Sequence, residues 1–238
     1  MTNSPAEPAA LNPEQPTPGF PTPELPGEIA VFPLSGALLL PQGRLPLNIF
    51  EPRYLAMTQD SMAAGRMFGM IQPDPGAAGG AKGPGLYRVG CLGRLTSFAE
   101  TDDGRMLVTL TGLVRFRVVE ELEMRHGYRR VRADYAPFLA DLDTAGPQAA
   151  IDRPELLAAL RPFFKARGIE ANWTAVEQTA DPALVLTLAM VCPFEVPEKQ
   201  ALLEAATPAE RATMLIALLR MGAHGVASGD AASGQKPS

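Results

Sequence analysis

Few side chains in these 238 residues are of a type and spacing that could make or break a bond. The chain holds two cysteines and two histidines. Cys91 with His126 could be imagined as a nucleophile and its base, because an imidazole can draw the proton from a thiol. Cys91 lies in the run Val89-Gly90-Cys91-Leu92, which suits a buried structural thiol better than a reactive one. Cys91, Cys192, His126 and His224 follow no zinc-ligand spacing. A phosphate cradle needs G-x-x-x-x-G-K-[ST], so that backbone N–H groups and a lysine surround the anion. Gly76-Ala77-Ala78-Gly79-Gly80-Ala81-Lys82-Gly83 has alanine where the second glycine belongs and glycine where the hydroxyl belongs, and reads as a flexible loop. Ser233-Gly234-Gln235-Lys236 matches S-x-x-K by letter, in a Gly/Ser-rich stretch with no helix to hold the pair. Glu100, Asp102 and Asp103 could gather a cation, but Asp102-Asp103-Gly104 is a stronger hairpin-turn signal. The expectation is therefore no catalytic residue, no cofactor and no metal.

Two other constellations could bind without catalysis. The first is Leu45-Pro46-Leu47-Asn48-Ile49-Phe50-Glu51-Pro52-Arg53-Tyr54. An apolar run stops at Phe50, and a helix opens with Pro52 at its first position, where a missing N–H costs nothing. Glu51 and Arg53 form a charge pair beside Tyr54. Met57, Met62, Met67 and Met70 gather around this helix, as adaptable core or as the lining of an apolar groove. The second is a set of arginines. Arg115 and Arg117 share one face of a strand, and Arg130 and Arg132 share one face of another; neighbouring strands would make them a basic patch able to hold RNA. Against that stand Glu120, Glu121 and Glu123, which balance the face, and the lack of interleaved aromatics.

Composition narrows the classes. Apolar content of 46% and charged content of 20% fit a globular chain large enough for a substantial core. A formal charge of −5 disfavours a dedicated nucleic-acid binder. Two widely spaced cysteines do not make a disulfide framework. No apolar run reaches the ~18 residues of a membrane span. A basic N-terminal region followed by an apolar stretch is also lacking, so a cytoplasmic protein is expected.

Residues 1–26 carry eight prolines and no Lys or Arg, and 222–238 are rich in small residues; both read as disordered tails. Between them the hydrophobic period changes. Residues 27–140 read as short strands: Glu28–Phe32, Ala37–Leu40, Arg44–Ile49, Met67–Ile71, then a meander from Tyr87 with Met106–Thr111, Val114–Glu121 and Tyr128–Tyr135. One helix, Pro52–Ala64, interrupts them, and Pro73–Gly85 is expected to be a mobile loop. Many short strands with glycine corners suggest a small closed barrel. Residues 150–221 read as helices opened by Asp152, Asn172, Asp181-Pro182, Pro197 and the capping box Thr207-Pro208-Ala209-Glu210. The last of these puts Ala212, Leu215, Ile216 and Leu219 on one face. The fold class is α+β: a barrel with an inserted helix, followed by a helical bundle.

The order of several segments resembles the N-terminal domain of Lon proteases. They are Ala30-Val31-Phe32-Pro33-Leu34, Leu38-Leu39-Leu40-Pro41 with Leu45-Pro46-Leu47, and Ile49-Phe50-Glu51-Pro52-Arg53-Tyr54. Val89-Gly90-Cys91, Glu100 to Arg105, Leu110 to Phe116, Cys192-Pro193-Phe194 and Lys199 to Glu204 follow. The resemblance covers about residues 27–221 and is similar to stand-alone bacterial members. It implies a PUA-like β-barrel backed by helices. It also implies recognition of unfolded or client polypeptide, as an adaptor for a protease or chaperone in protein quality control. No catalytic residue comes with it, because the family's ATPase and Ser–Lys protease chemistry lies in other domains, for which no motif or length is expected after residue 221. On this reading Phe50, Glu51, Arg53, Tyr54 and Met57 are the candidate peptide contacts. The alternative keeps Arg115, Arg117, Arg130 and Arg132 as an RNA-binding face.

Overall fold

A computed structural model describes residues 25–143 and 151–225. The proline-rich stretch 1–24, residues 144–150 and the stretch 226–238, with Ser233 and Lys236, lie outside the described residues. In chain order the elements are β1 (Glu28–Pro33), β2 (Arg44–Ile49), α1 (Pro52–Ala63), β3 (Met67–Ile71), β4 (Val89–Glu100), β5 (Met106–Glu121) and β6 (Arg129–Asp134). A 3-10 helix (Ala136–Leu142), α2 (Arg153–Arg167), α3 (Trp173–Gln178), α4 (Asp181–Val191), α5 (Val196–Glu204) and α6 (Pro208–Gly225) follow.

The sheet order is β2-β5-β4-β3-β1-β6, and β5 also pairs with β6. Five strands therefore close a ring, while β2 lies outside it along the first half of β5, so the structure is a mixed sheet and not a clean barrel. Alternation decides what fills the ring. Ile29, Val31, Ile71, Leu92, Val114, Phe116, Val118 and Val131 point inward as one apolar cluster. Phe116 fits because Gly69 and Gly90 face it: a Cβ on either would lie 2.8 or 2.5 Å from its ring. The opposite faces of the strands join α1 and the helices in a second cluster, which runs without a break from Phe32 and Leu47 to Leu215 and Leu219.

Two strand expectations are corrected. Ala37–Leu40 is not a strand, although Leu38, Leu39 and Leu40 are almost wholly buried. The segment crosses the face of β4 and β5 over Gly93 and Gly112 and pairs with no strand edge, so all three leucines are enclosed without alternation. A Cβ on Gly112 would lie 2.0 Å from the Leu40 carbonyl oxygen. Met106–Thr111 and Val114–Glu121 are one strand, since Gly112 admits Leu40 and does not turn the chain; the ladder absorbs it with a register shift at Leu92/Gly93. The stretch Pro73–Gly85 is tied down at described points. Asp74 and Gly80 donate backbone bonds to Gly85 and Gly83, and Lys82 donates to the Glu121 and Leu122 carbonyls.

The turns and caps carry their expected chemistry. Gly104 sits at φ 78° in the β4–β5 turn. His126 and Gly127 both have positive φ in the tight β5–β6 hairpin, a turn the sequence reading passed over. Asp152 and Asn172 accept from the N–H groups of Glu155 and Ala175. Thr207 accepts from Glu210 N–H at 3.1 Å, while the Glu210 carboxylate accepts from Ala206 N–H. α6 continues four residues past the expected stop at 221. Gly222 lies inside α6, and its missing Cβ lets the ring of Phe163 on α2 approach to within 2.5 Å of that position.

Gly112→Ala should cost about 1–3 kcal/mol by forcing Leu40 off the sheet. Urea unfolding should show a lower midpoint with an unchanged slope.

Candidate functional site

The corner from β2 into α1 is built as its residue types require. Glu51 is the N-cap and Pro52 the first helical residue. The Glu51 carboxylate accepts from Arg53 at 2.8 Å, with both side chains about half exposed. The Arg53 guanidinium stacks 4.5 Å over the Tyr54 ring, which is buried against Phe32 at 4.1 Å. Met57 is fully buried beneath α1. So Tyr54 and Met57 form the base of the corner, and Phe50, 60% exposed, is its outward apolar group.

Behind the corner, Asp60 fastens α1 to the β5–β6 hairpin. Its carboxylate accepts from Tyr128 Oη at 2.7 Å and meets His126 Nδ1 at 2.9 Å and Arg125 Nε at 3.3 Å. The Tyr128 hydrogen bond leads the causes that hold the Asp60 carboxyl below its ordinary value. Burial first, then the same bond, push the Tyr128 hydroxyl up to about 12.

The four arginines of the RNA reading are not one free face. Arg115 is buried: Nε and Nη2 donate to the two Asp141 oxygens at 2.8 Å each, and Nη1 donates to the Leu203 and Ala205 carbonyls. Arg130 pairs with Glu28, and Arg132 reaches both Glu28 and Glu120. Arg117 is exposed on β5. The alternation at Val114–Val118 is as read, but the face opposite the ring interior is covered by the 3-10 helix and α5 at Arg115. Sequence reasoning missed Asp141 because it lies in the short, unpatterned Ala136–Leu142 segment.

An open surface lies where β2, the first half of β5 and the second half of β4 leave the ring. One side of this flap packs on the core through Leu47, Ile49, Met106, Val108 and Leu110. The other side is open, and the register places its residues in rows: Arg44–Thr111–Arg94, Pro46–Thr109–Ser97 and Asn48–Leu107–Ala99. Phe50 continues this face, with the Arg105 guanidinium 5.6 Å from its ring. Phe50 and Leu107 are both large exposed apolar groups. β2 pairs only with β5, which explains how it accommodates Pro46. The Gly112 N–H to Gly43 carbonyl bond sets the ladder's parity and turns the N–H-less side of Pro46 outward.

At Arg44 this face meets a groove of about 270 Å³ lined by Gln42, Gly43, Ala183, Leu186, Met190 and Val191. α4 is apolar all round. Leu184, Val185, Leu188 and Ala189 enter the core, while Leu186, Met190 and Val191 are left along the groove. Sequence reading fixed on the helix-opening half of the corner; an apolar second face of α4 was visible in its composition.

Cys91 and Cys192 are buried free thiols, and burial pushes both up. No group of three or more His, Cys, Asp and Glu able to hold a metal ion occurs among the described residues. No helix there is long and apolar enough to cross a membrane.

Comparison with known proteins places this geometry in a family. The family model of the ATP-dependent protease La (LON) substrate-binding domain matches residues 28–221. The chain belongs to the Lon substrate-binding domain family. Among solved structures it is similar to a Lon N-terminal domain protein from Xanthomonas campestris, with TM-score 0.54, 22% identity, and coverage of 80% of this chain and 97% of that one. The N-terminal domain of Mycobacterium avium complex Lon protease matches with TM-score 0.51 and 14% identity, over 81% of this chain and 97% of that one. These likenesses establish the Lon N-domain fold. A Lon protease of Syntrophus aciditrophicus is 24% identical over 76% of this chain but only 23% of its own length. One from Desulfosudis oleivorans is 30% identical over 40% of this chain and 12% of its own length. The chain thus spans less than a quarter of these curated relatives.

Arg115→Met should cost about 3–5 kcal/mol in urea unfolding, since it strands the Asp141 charge and two carbonyls; adding Asp141→Leu should recover much of that loss. Tyr128→Phe should raise the Asp60 carboxyl toward its ordinary value in an NMR titration and cost about 1 kcal/mol at neutral pH. The folded carboxyl is depressed, so its stabilising contribution exists above the unfolded value near ~4 and fades as pH falls through the folded value. The two proteins should therefore converge in stability as the solution is acidified.

Proposed function

We propose that this chain is a non-catalytic module that recognises unfolded or client polypeptide, acting as an adaptor that brings clients to a protease or chaperone. One observation carries the reading. A solvent-open sheet face bearing Phe50 and Leu107 runs into an uncovered apolar groove on α4, on a chain of the Lon substrate-binding domain family. Exposed apolar groups gathered on one side of a molecule mark interaction surfaces. An open sheet face with a neighbouring groove suits extended segments, whose alternate side chains point one way. Phe50 is the contact we assign among the corner residues, with Glu51 and Arg53 framing it; Tyr54 and Met57 act by holding it in place. Membership of this family supports binding and supplies no reason to assign peptide cleavage to this chain. The buried free thiols agree with a cytoplasmic setting.

Permanently unfolded, fluorescently labelled casein should bind the purified chain. Phe50→Ser with Leu107→Ser should weaken that binding by about fivefold or more while leaving the melting temperature within a few degrees, since Phe50 is already 60% and Leu107 45% exposed. Unchanged binding by the double variant would move the site elsewhere, and intact protein that cleaves casein unaided would end the non-catalytic reading.

A further inference from the structure

We propose that Arg44 and Arg94 form a carboxylate clamp on the open sheet face and select extended client segments that carry an acidic side chain. The inference rests on the polypeptide-binding reading and names the chemistry of its client. Both arginines sit opposite Thr111 in the register, on the two strands flanking β5. They are two strand spacings apart, about 10 Å at Cα, close enough for their long side chains to converge over Thr111. Thr111 adds a hydroxyl, which shares a 3.0 Å bond with Thr96.

Most arginines of the protein are paired with a carboxylate, and those of this row are among the few that are not. Arg53, Arg105, Arg115, Arg129, Arg130, Arg132, Arg153 and Arg161 each meet a carboxylate within 3.1 Å. Among the described residues Arg44 and Arg94 meet none, and no acidic residue stands in the rows between them and Phe50. Arg94 lies on the same side of β4 as the ring residue Leu92, at the mouth of the ring. Its Nε is buried and makes no hydrogen bond. A buried donor without an acceptor is costly, and a guanidinium fork fits a carboxylate better than any other peptide group.

The rest of the face decides between an acidic polypeptide and a nucleic acid. Pro46, Thr109, Ser97, Asn48, Leu107 and Ala99 separate the arginines from Phe50, so successive bases would find no stack of aromatic platforms. The net charge of −5 repels a polyanion more than a single carboxylate. Arg44 and Phe50 are six residues apart on one face, so an extended client would place its acidic residue about six positions from an aromatic one.

The test uses labelled peptides of about twelve residues with blocked ends, carrying one Glu about six positions from one Phe in either order, read by fluorescence anisotropy on the full chain. Replacing the peptide Glu by Gln should weaken binding by about tenfold, and R44Q/R94Q should weaken the Glu peptide equally while leaving the Gln peptide unchanged. The wild-type comparison of the two peptides stands even if that variant does not fold. Equal affinity for Glu and Gln peptides, or the same loss for both with R44Q/R94Q, overturns the clamp and leaves the polypeptide reading intact. A Gln peptide with a free C-terminus that binds as well as the Glu peptide overturns the assignment to a side chain. Tight binding of oligouridylate that R44Q/R94Q abolishes gives the row to nucleic acid. Failure of every peptide, and of casein, defeats the polypeptide reading itself.

Discussion

The Arg115 guanidinium is where the sheet, the 3-10 helix and the helical layer meet. It grips Asp141 with two nitrogens, donates with a third to the carbonyls of Leu203 and Ala205, and lies 4.7 Å from the Phe138 ring. A second buried arginine, Arg211, donates to the Leu202 carbonyl beside it. Burial, and then the charge of Arg115, push Arg211 down to about 10. One carboxylate thus faces two guanidiniums. The deficit is met by carbonyls at the C-terminal end of α5, where the helix dipole is negative. Such a cluster is expensive to desolvate and more expensive to break, so it favours one placement of helices against sheet over others that would bury as much apolar surface.

With the helices fixed there, one side of the β2-β5-β4 flap is used up. Leu47, Ile49, Met106, Val108 and Leu110 enter the common core, and the alternation of an extended chain sends Asn48, Leu107, Thr109 and Thr111 into solvent. The open face is therefore a by-product of the same register that builds the core. α4 shows the same economy: a helix apolar on every side has only one side to bury, and the remainder becomes a groove. The open face and the stability of the fold draw on one set of constraints.

Local signals foretold local structure well. Proline at the start of α1, the caps of α2 and α3, the box before α6 and the Asp-Asp-Gly turn act within a few residues, and all appear where the sequence placed them. Glycines misled where their role was long-range. Gly112 fell between two expected strands and Gly222 just past the expected end of the last helix; each instead makes room for a group distant in sequence, Leu40 and Phe163. Leu38–Leu40 had strand composition but no free edge to pair with. Arg115 shared a polar-looking face with Arg117 by alternation, yet only one of the two meets solvent.

By itself the sequence determined the α+β class, the positions of most turns and helix starts, the family resemblance, and the charge pair at the Phe50 corner. These follow from propensities and periodicities that a chain carries wherever it goes. Only the tertiary structure decided that Tyr54 and Met57 lie beneath that corner while Phe50 projects, that Arg115 is an internal clamp, and that Arg44 and Arg94 share a row. Those outcomes depend on which strands lie side by side and which face the helices cover. Residues far apart in sequence meet there through packing, and no local pattern encodes that meeting.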